Sequence, residues 1–390
     1  MIPVAQALDH LFALVGPLPV ETVPLRRAHG RVLAETVLAQ RTQPPFAASA
    51  MDGYAVKSAE VETDALFKVI GESAAGHGFA GTVGAGQAVR IFTGAPVPQG
   101  ADFVVIQEDV TRRGDLITLN HGVGTAHNIR RAGTDFSAGT PMPAPRRLSA
   151  GDVALLAAMN IAQVPVARRP VVALISTGDE LVMPGETPGD DQIIVSNTFG
   201  LAALLEGLGA VPRILPIARD TRAALRQVLT LAAGADLIVT IGGASVGDHD
   251  LVADVAAEMG MQQSFYKVVM RPGKPLMAGM LGGVPMIGLP GNPVSAMVCG
   301  TVFLTPVIRA MQGLGEAPAP RRQMPLTAPL EANGPREHYM RAVVDAQGVA
   351  DAGRQDSSLL SVLATANALI VRPPDDPARD VGDLVDVIDL

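Results

Sequence analysis

The chain has 390 residues, which at roughly 150 residues per domain implies two or three domains. Hydrophobic residues make up 48% and charged residues 17%, while aromatic residues make up only 3%; the core is therefore aliphatic and extensive disorder is excluded. A net charge of -8, from 30 Lys and Arg against 38 Asp and Glu, and the lack of Trp argue against a basic, base-stacking nucleic-acid surface.

Residues 3–15 set Leu8, Leu11, Phe12 and Val15 at helical spacing, which predicts an amphipathic helix stopped by Gly16 and Pro17. This stretch has no basic leader and contains Asp9 and His10, so it does not read as a signal peptide. LRRAHGRVLAE at 25–35 reads as a second helix, Pro44 and Pro45 stop any continuation, and a loop carries Ser49 to Tyr54. From 52 to 140, short runs such as LFKVI, VRIFTG, DFVVIQ and LITL separated by Gly and Asp predict a β-rich segment. Residues 148–167 read as a helix with Ser149 as N-cap and then a short strand, and Arg168, Arg169 and Pro170 mark a boundary.

Between 170 and 313, apolar runs of four to six residues alternate with helical segments, the βαβ signature of a doubly wound α/β sheet. Strands are expected at 171–176, 236–241 and 284–289. Asn197 is expected to cap a helix that Gly209 ends, Asp220 to cap another ending near Gly234, and a further helix falls at 249–259. Asn292 as N-cap, with Pro293 at the first helical position, opens a helix reaching Met311. No charge occurs from Pro275 to Ile308, but Pro285, Pro290 and Pro293 interrupt this stretch, leaving no unbroken apolar run for a bilayer. After a Pro, Ala and Gly-rich linker at 313–322, the runs YMRAVVD, ALIVRPP and LVDVIDL predict a small β domain. The one cysteine, Cys299, rules out an internal disulfide and fits a reducing cytoplasm.

Three loops follow predicted parallel strands, where doubly wound sheets bind ligands: TGDEL at 177–181, GGASVGDHD at 242–250 and GLPGNPVS at 288–295. Gly242, Gly243 and Gly247 let backbone N–H groups approach a phosphate, Ser245 adds a hydroxyl, and the Asn292-Pro293 helix start offers N–H groups and a positive dipole end. Asp179 and Glu180 also suit a solvated loop pair, and Asp248 and Asp250 also suit caps of the following helix. Four carboxylates beside a phosphate cradle point further to a divalent ion such as Mg²⁺, which takes a few carboxylates plus water and phosphate oxygens. Lys267, Arg271 and Lys274 fall within eight residues and read either as a solvated face or as cations turned toward an anionic substrate. H-E-x-x-H and P-loop patterns are missing, which disfavours a zinc hydrolase and a P-loop nucleotidase.

PPFAASAMDGYAV at 44–56, FTGAPVPQGAD at 92–102, STGDEL at 176–181, VSNTFGLAALL at 195–205, GGASVGDHD, RPGKPLMAG at 271–279 and GLPGNPVSAM at 288–297 together resemble the molybdopterin molybdenumtransferases, the MoeA and gephyrin E-domain family. The resemblance implies a multidomain α/β plus β protein. Its parts would be a split helical and strand linker domain at 20–40 and 141–167, a β-rich domain at 41–140, a MogA-like doubly wound domain at 1–19 and 168–317, and a small C-terminal β-barrel at 318–390. It also implies a cytoplasmic homodimer that inserts molybdate into adenylyl-molybdopterin, with Mg²⁺-dependent release of AMP. A MogA or MoaB-type adenylyltransferase, apo-molybdoenzymes and their chaperones would be partners; nucleic acid and membrane would not.

The family's site residues carry over as follows. Asp52 and Thr93 would reach in from the other subunit. Glu180, Asp220 and Asp250 would hold Mg²⁺ or position the adenylyl phosphoryl group, and Lys267, Arg271 and Lys274 would bind the pyrophosphate and the incoming oxyanion. Thr177, Gly178, Gly242, Gly243, Ser245, Gly247, Pro290, Gly291, Asn292, Ser295, Arg341 and Ser357 would bind the pterin substrate. Molybdate and the phosphoanhydride repel each other, so cations must offset their charge, and no covalent protein nucleophile is required. Two other readings stay open at this level: a molybdopterin adenylyltransferase, because the strand-end loops belong to the MogA-like part, and a gephyrin-like scaffold.

Overall fold

In the computed structural model, residues 1–243 and 251–390 are described. The first helix, Val4–Phe12, buries Leu8, Leu11 and Phe12 against the α/β core. The expected helix at 25–35 does not form. Only a 3-10 turn, Leu25–Arg27, is present; Gly30 takes φ +74, and Val32–Leu33 becomes a buried strand between Gln163–Ala167 and Arg146–Arg147. Its apolar side chains are used at the period of a strand, because two distant segments supply partners that local propensity cannot register. Val20–Pro24 completes this four-stranded antiparallel sheet, with Val20 opposite Ala167.

The chain enters and leaves this sheet side by side, Arg168 N–H donating to the Pro19 carbonyl at 2.9 Å. Ser149 caps the Ala150–Ala158 helix in a capping box with Asp152, as its position before an apolar run suggests. The β-rich region forms a six-stranded sheet in the order 103–106, 53–56, 87–91, 66–73, 116–119, 110–113. Its interior is the apolar cluster of Val56, Phe67, Phe103, Ile117 and Leu119.

The α/β sheet runs Val211–Ile214, Val171–Ser176, Leu237–Ile241, Val284–Leu289, Met277–Leu281, Gln262–Tyr266. The first four strands pair in parallel, and Met277–Leu281 pairs antiparallel with both Val284–Leu289 and Gln262–Tyr266. Val171–Ser176 is apolar on both faces because helices cover both. Val172 and Leu174 pack with the N-terminal helix and the Pro293–Met311 helix, while Ala173 and Ile175 pack with Leu225, Val228 and Val255 of the helices opposite.

The Pro293–Met311 helix is long and apolar enough to cross a membrane, but 83% of its span is buried within the protein, where it serves as the core helix. A π-helical turn, Gly300–Leu304, interrupts it. The Asn197–Gly207 helix links the linker sheet to the strand ends. Its last carbonyls are filled from outside: Arg147 donates to Gly207 at 2.6 Å, Gln312 to Leu208 at 3.0 Å, and Arg169 to Gly209 and Ala210 at 2.8 and 2.9 Å.

The C-terminal sheet runs Met270–Arg271, Glu337–Val344, Ala368–Arg372, Leu384–Asp389, Arg322–Pro325, with Val349–Asp351 beside Glu337–Val344. A bridge between Leu326 and Val349 brings its two ends together. Met270–Arg271 belongs by sequence to the α/β region, yet it pairs in parallel with Glu337 and His338.

Candidate functional site

A cavity of about 640 Å³ opens at the carboxyl ends of Val171–Ser176 and Leu237–Ile241. These two strands flank the point where the strand order reverses, which is where open α/β sheets leave a crevice.

Thr177 and Gly178 form its floor. Thr177 N–H donates to Ile241 at 3.0 Å and Gly178 N–H to Ala218 at 3.1 Å, so the loop begins in a defined direction. Gly178 has φ +148, and a Cβ built there would lie 2.4 Å from Glu180 Oε2. Glycine at 178 thus leaves room for the Glu180 carboxylate to fold back over the loop. Arg219, which the sequence reading missed, pins this loop by donating to the carbonyls of Asp179 and Leu181 at 2.9 and 3.1 Å.

Asp220 also lines the cavity, and here the expected cap is corrected. Thr221, not Asp220, caps the Arg222–Leu231 helix, its Oγ1 accepting from Ala224 N–H at 3.2 Å. Asp220 N–H instead donates to Asp179 Oδ1 at 3.1 Å, which occupies Asp179, and Asp220, free of the capping role, stands in the cavity lining. The other cap is corrected in the same way. Ser196 holds the N-cap position, and Asn197 is the first residue of its helix, its Nδ2 donating to the Gly291 carbonyl at 2.7 Å. Asn197 is a second lining residue the sequence reading missed; an Asn at a helix start carried the signal but was read only as a cap.

On the far wall, Gly243 has φ +70, and a Cβ there would meet Val252 Cγ2 at 2.3 Å. Gly242, Pro290, Gly291 and Asn292 also line the cavity, the 290–292 loop resting against Gly242. Ser295 is buried one turn into the following helix. Thr177 Oγ1 is buried and has no hydrogen-bond partner among the described residues, leaving a polar group for a ligand or water to satisfy. Ser245, Gly247, Asp248 and Asp250 lie outside the described residues.

The three expected cations do not converge. Lys274 lines the cavity. Arg271, carried away by its pairing with His338, lines a separate cavity of about 380 Å³ with His338, Arg372, Asn333 and Gln355. Burial, reinforced by Arg271 and Arg372, pushes the His338 pKa down to about 4, so this imidazole is neutral near pH 7. Lys267, at φ +69, lays its ammonium 4.8 Å above the Tyr266 ring. The physical reason is topological: a four-residue spacing spans two sheets here.

Asp52 and Thr93 meet each other on the β-rich sheet and do not line the cavity of their own chain. Asp52 Oδ1 accepts from Thr93 N–H at 2.7 Å and Thr93 Oγ1 at 2.8 Å, and these bonds hold its carboxyl below the usual carboxylate range. Arg90 braces the same corner, donating to the Gly53 carbonyl at 3.1 Å and to Gln107 at 2.7 Å.

Arg341 lies inside the C-terminal sheet and does not line the cavity. It is 2% exposed and donates to the carbonyls of Asp356 and Arg354 at 2.7 and 3.0 Å and to Gln355 Oε1. Ser357 does reach the cavity's edge: its Oγ accepts from Asn292 Nδ2 at 3.0 Å, and its carbonyl accepts from Val294 N–H at 3.1 Å. That second bond takes one of the N–H groups expected to face an anion.

Among the described residues no group of three His, Cys, Asp or Glu side chains is placed to hold a metal ion. Glu180 and Asp220 nevertheless supply two hard oxygen donors to one cavity, which fits Mg²⁺, an ion that keeps water and phosphate oxygens in its remaining positions.

Three family models match the chain: the MoeA N-terminal region (domain I and II) over residues 2–160, a probable molybdopterin binding domain over 173–310, and the MoeA C-terminal region (domain IV) over 323–390. A molybdopterin molybdenumtransferase of Nostoc is 37% identical over 90% of this chain and 85% of its own length. Molybdopterin molybdenumtransferase 2 of Mycobacterium tuberculosis is 36% identical over 95% of both chains. Among solved structures, the molybdopterin biosynthesis MoeA protein of Pyrococcus horikoshii superposes with a TM-score of 0.85 at 26% identity, over 99% of both chains.

Proposed function

The chain belongs to the molybdopterin molybdenumtransferase family, and from that premise we propose that it inserts molybdate into adenylyl-molybdopterin and releases AMP. The observation that carries this reading is the joint presence of Glu180, Asp220 and Lys274 on one strand-end cavity whose floor and wall are glycine backbone.

In this reading the phosphoanhydride lies along the Gly242–Gly243 backbone with Lys274 against its charge. Thr177 Oγ1 and Asn292 orient the substrate, and Gly178, Pro290, Gly291 and Ser295 shape the walls. Glu180 and Asp220, with Asp250, hold Mg²⁺, which polarises the phosphoryl oxygens when bound. Water attack on the phosphoanhydride releases AMP and leaves molybdopterin with its own phosphate, and the two dithiolene thiols displace one oxide of molybdate, which leaves as water with their protons. Arg271 and Lys267 serve the incoming oxyanion from outside the cavity.

The active form is a homodimer in which Asp52 and Thr93 of one protomer complete the site of the other. The chain divides into 20–40 with 141–167, 41–140, 1–19 with 168–317, and a C-terminal barrel at 318–390; the bridge between Leu326 and Val349 supports the last. Cys299, buried with its thiol pushed up by burial, suits a reducing cytoplasm. A MogA or MoaB-type adenylyltransferase supplies the substrate, and apo-molybdoenzymes or their chaperones take the product.

Incubation of the purified protein with adenylyl-molybdopterin, molybdate and Mg²⁺ tests the proposal. AMP release stimulated by molybdate is expected. Consumption of ATP with molybdopterin, in place of that release, would assign an adenylyltransferase instead.

A further inference from the structure

We propose that Gln355 is a positioning residue for the strand-end cavity: together with Arg341 it holds the 354–357 loop so that Ser357 fixes the side chain of Asn292 at the cavity rim. The inference rests on the reading above that this cavity takes the substrate.

Arg341 is a buried charge. It lies on the Glu337–Val344 strand at 2% exposure, and among the described residues the one carboxylate that acts on its charge, Asp356, does so through space and not as a hydrogen-bonded pair. A guanidinium removed from water is stable only if its donors are filled. The oxygens that fill them come from one short loop: the carbonyls of Arg354 and Asp356, and Gln355 Oε1, which accepts from Nε at 3.3 Å and from the terminal nitrogen at 3.2 Å.

Gln355 also grips the backbone of the same arginine. Its Oε1 accepts from Arg341 N–H at 3.0 Å, and its Nε2 donates to the Arg341 carbonyl at 3.0 Å. The loop therefore cannot slide along the strand without unpairing the guanidinium and a strand residue's own backbone.

Ser357 follows directly and faces the other way. Asn292 is the N-cap of the Pro293 helix, and Pro293 has no N–H, so Val294 carries the first N–H of that helix; the Ser357 carbonyl takes it at 3.1 Å. The Asn292 side chain makes no capping bond to its own helix and donates instead to Ser357 Oγ. An asparagine at an N-cap ordinarily turns its amide oxygen onto the next turn's N–H groups. The Ser357 contact holds it out of that orientation and toward the cavity, while Asn197 steadies Gly291 from the other side.

Two measurements on the full-length protein test this. In the ligand-free protein, Gln355→Ala is expected to speed hydrogen exchange at the Val294 amide roughly fivefold, the scale of one net backbone hydrogen bond. Gln355→Glu, which keeps the acceptor oxygen, restores part of that protection. In the assay, Gln355→Ala and Ser357→Ala each raise KM for adenylyl-molybdopterin, with kcat within about twofold of wild type. Combining either with Asn292→Ala is expected to raise KM no further than the larger single change. Unchanged exchange at Val294 in Gln355→Ala, or additive KM effects in the cycle, would overturn the proposal. The exchange arm needs no turnover, so a wild-type protein without molybdate-dependent AMP release would refute the functional reading separately. Ser357→Ala, which leaves the Arg341 bonds in place, keeps the KM arm open if Gln355→Ala does not fold.

Discussion

In the C-terminal sheet, Arg341 and Arg372 are each 2% exposed and their hydrogen bonds are internal, whereas at the ends of the parallel strands Glu180, Asp220 and Lys274 face open space. Arg372 shows the first case most fully. Its Nε donates to Asp376, its terminal nitrogen donates to the carbonyls of Pro377 and Glu331 at 2.7 and 3.2 Å, and Arg379 donates to Asp376 at 2.6 Å. At the cavity the Arg219 guanidinium holds the loop by its backbone, donating to the carbonyls of Asp179 and Leu181, and it does so without engaging the Glu180 carboxylate. Residue type alone therefore does not mark a ligand group. A charged side chain serves function where the fold satisfies the backbone around it and leaves the charge itself unspent.

The most severe way to break this contrast is Arg372→Ala. It takes from buried Asp376 one of its two arginines, leaving Arg379, and unpairs the Glu331 and Pro377 carbonyls; a loss of about 3 kcal/mol is expected, read by urea denaturation. A loss below 1 kcal/mol would show that the internal network is not structural. Next, Glu180→Gln is expected to lower kcat by roughly 100-fold, about 2.7 kcal/mol in the barrier, with an unchanged denaturation midpoint. If its stability falls as well, the cavity carboxylate is also structural and the distinction weakens.

Adjacent residues sharpen the comparison at higher resolution. Thr221→Ala is expected to cost about 1 kcal/mol of stability while retaining activity, because it removes a helix cap. Asp220→Asn should do the reverse, lowering activity at full stability.

The smallest effect is in the pH dependence. Burial raises the Asp376 pKa, but hydrogen bonds from Arg379 and Arg372 outweigh it and hold the carboxyl below its usual range. A folded pKa below the unfolded one contributes stability that is present above the unfolded value of about 3.9 and is lost as pH falls through the folded value. The stability gap between wild type and Asp376→Asn should therefore be widest near neutral pH and narrow below about pH 4. A gap that widens on acidification would contradict the pairing.

Much of the fold was legible because it rests on local rules. The runs at 171–176, 237–241 and 284–289 are strands, and Ser149 and Asn292 sit at helix starts, since burial on two faces and cap chemistry leave their mark within a few residues. The segment at 25–35 failed because its helical spacing was outweighed by strand partners more than a hundred residues away.

For the site, the amino-acid sequence by itself determined which residue types stand after which strands: glycines where backbone must approach a ligand, and Glu180, Asp220 and Lys274 near the strand ends. Only the tertiary structure decided which of them share a cavity. It sent Arg271 to a second sheet, let Thr221 take the cap and Asp220 stand in the cavity lining, and consumed Arg341 inside a loop whose next residue reaches the rim. The reason is range. Helix caps, turns and strand patterns act over a few residues, whereas desolvation and hydrogen-bond satisfaction depend on every segment brought within about 3 Å, and those segments are distant in the chain.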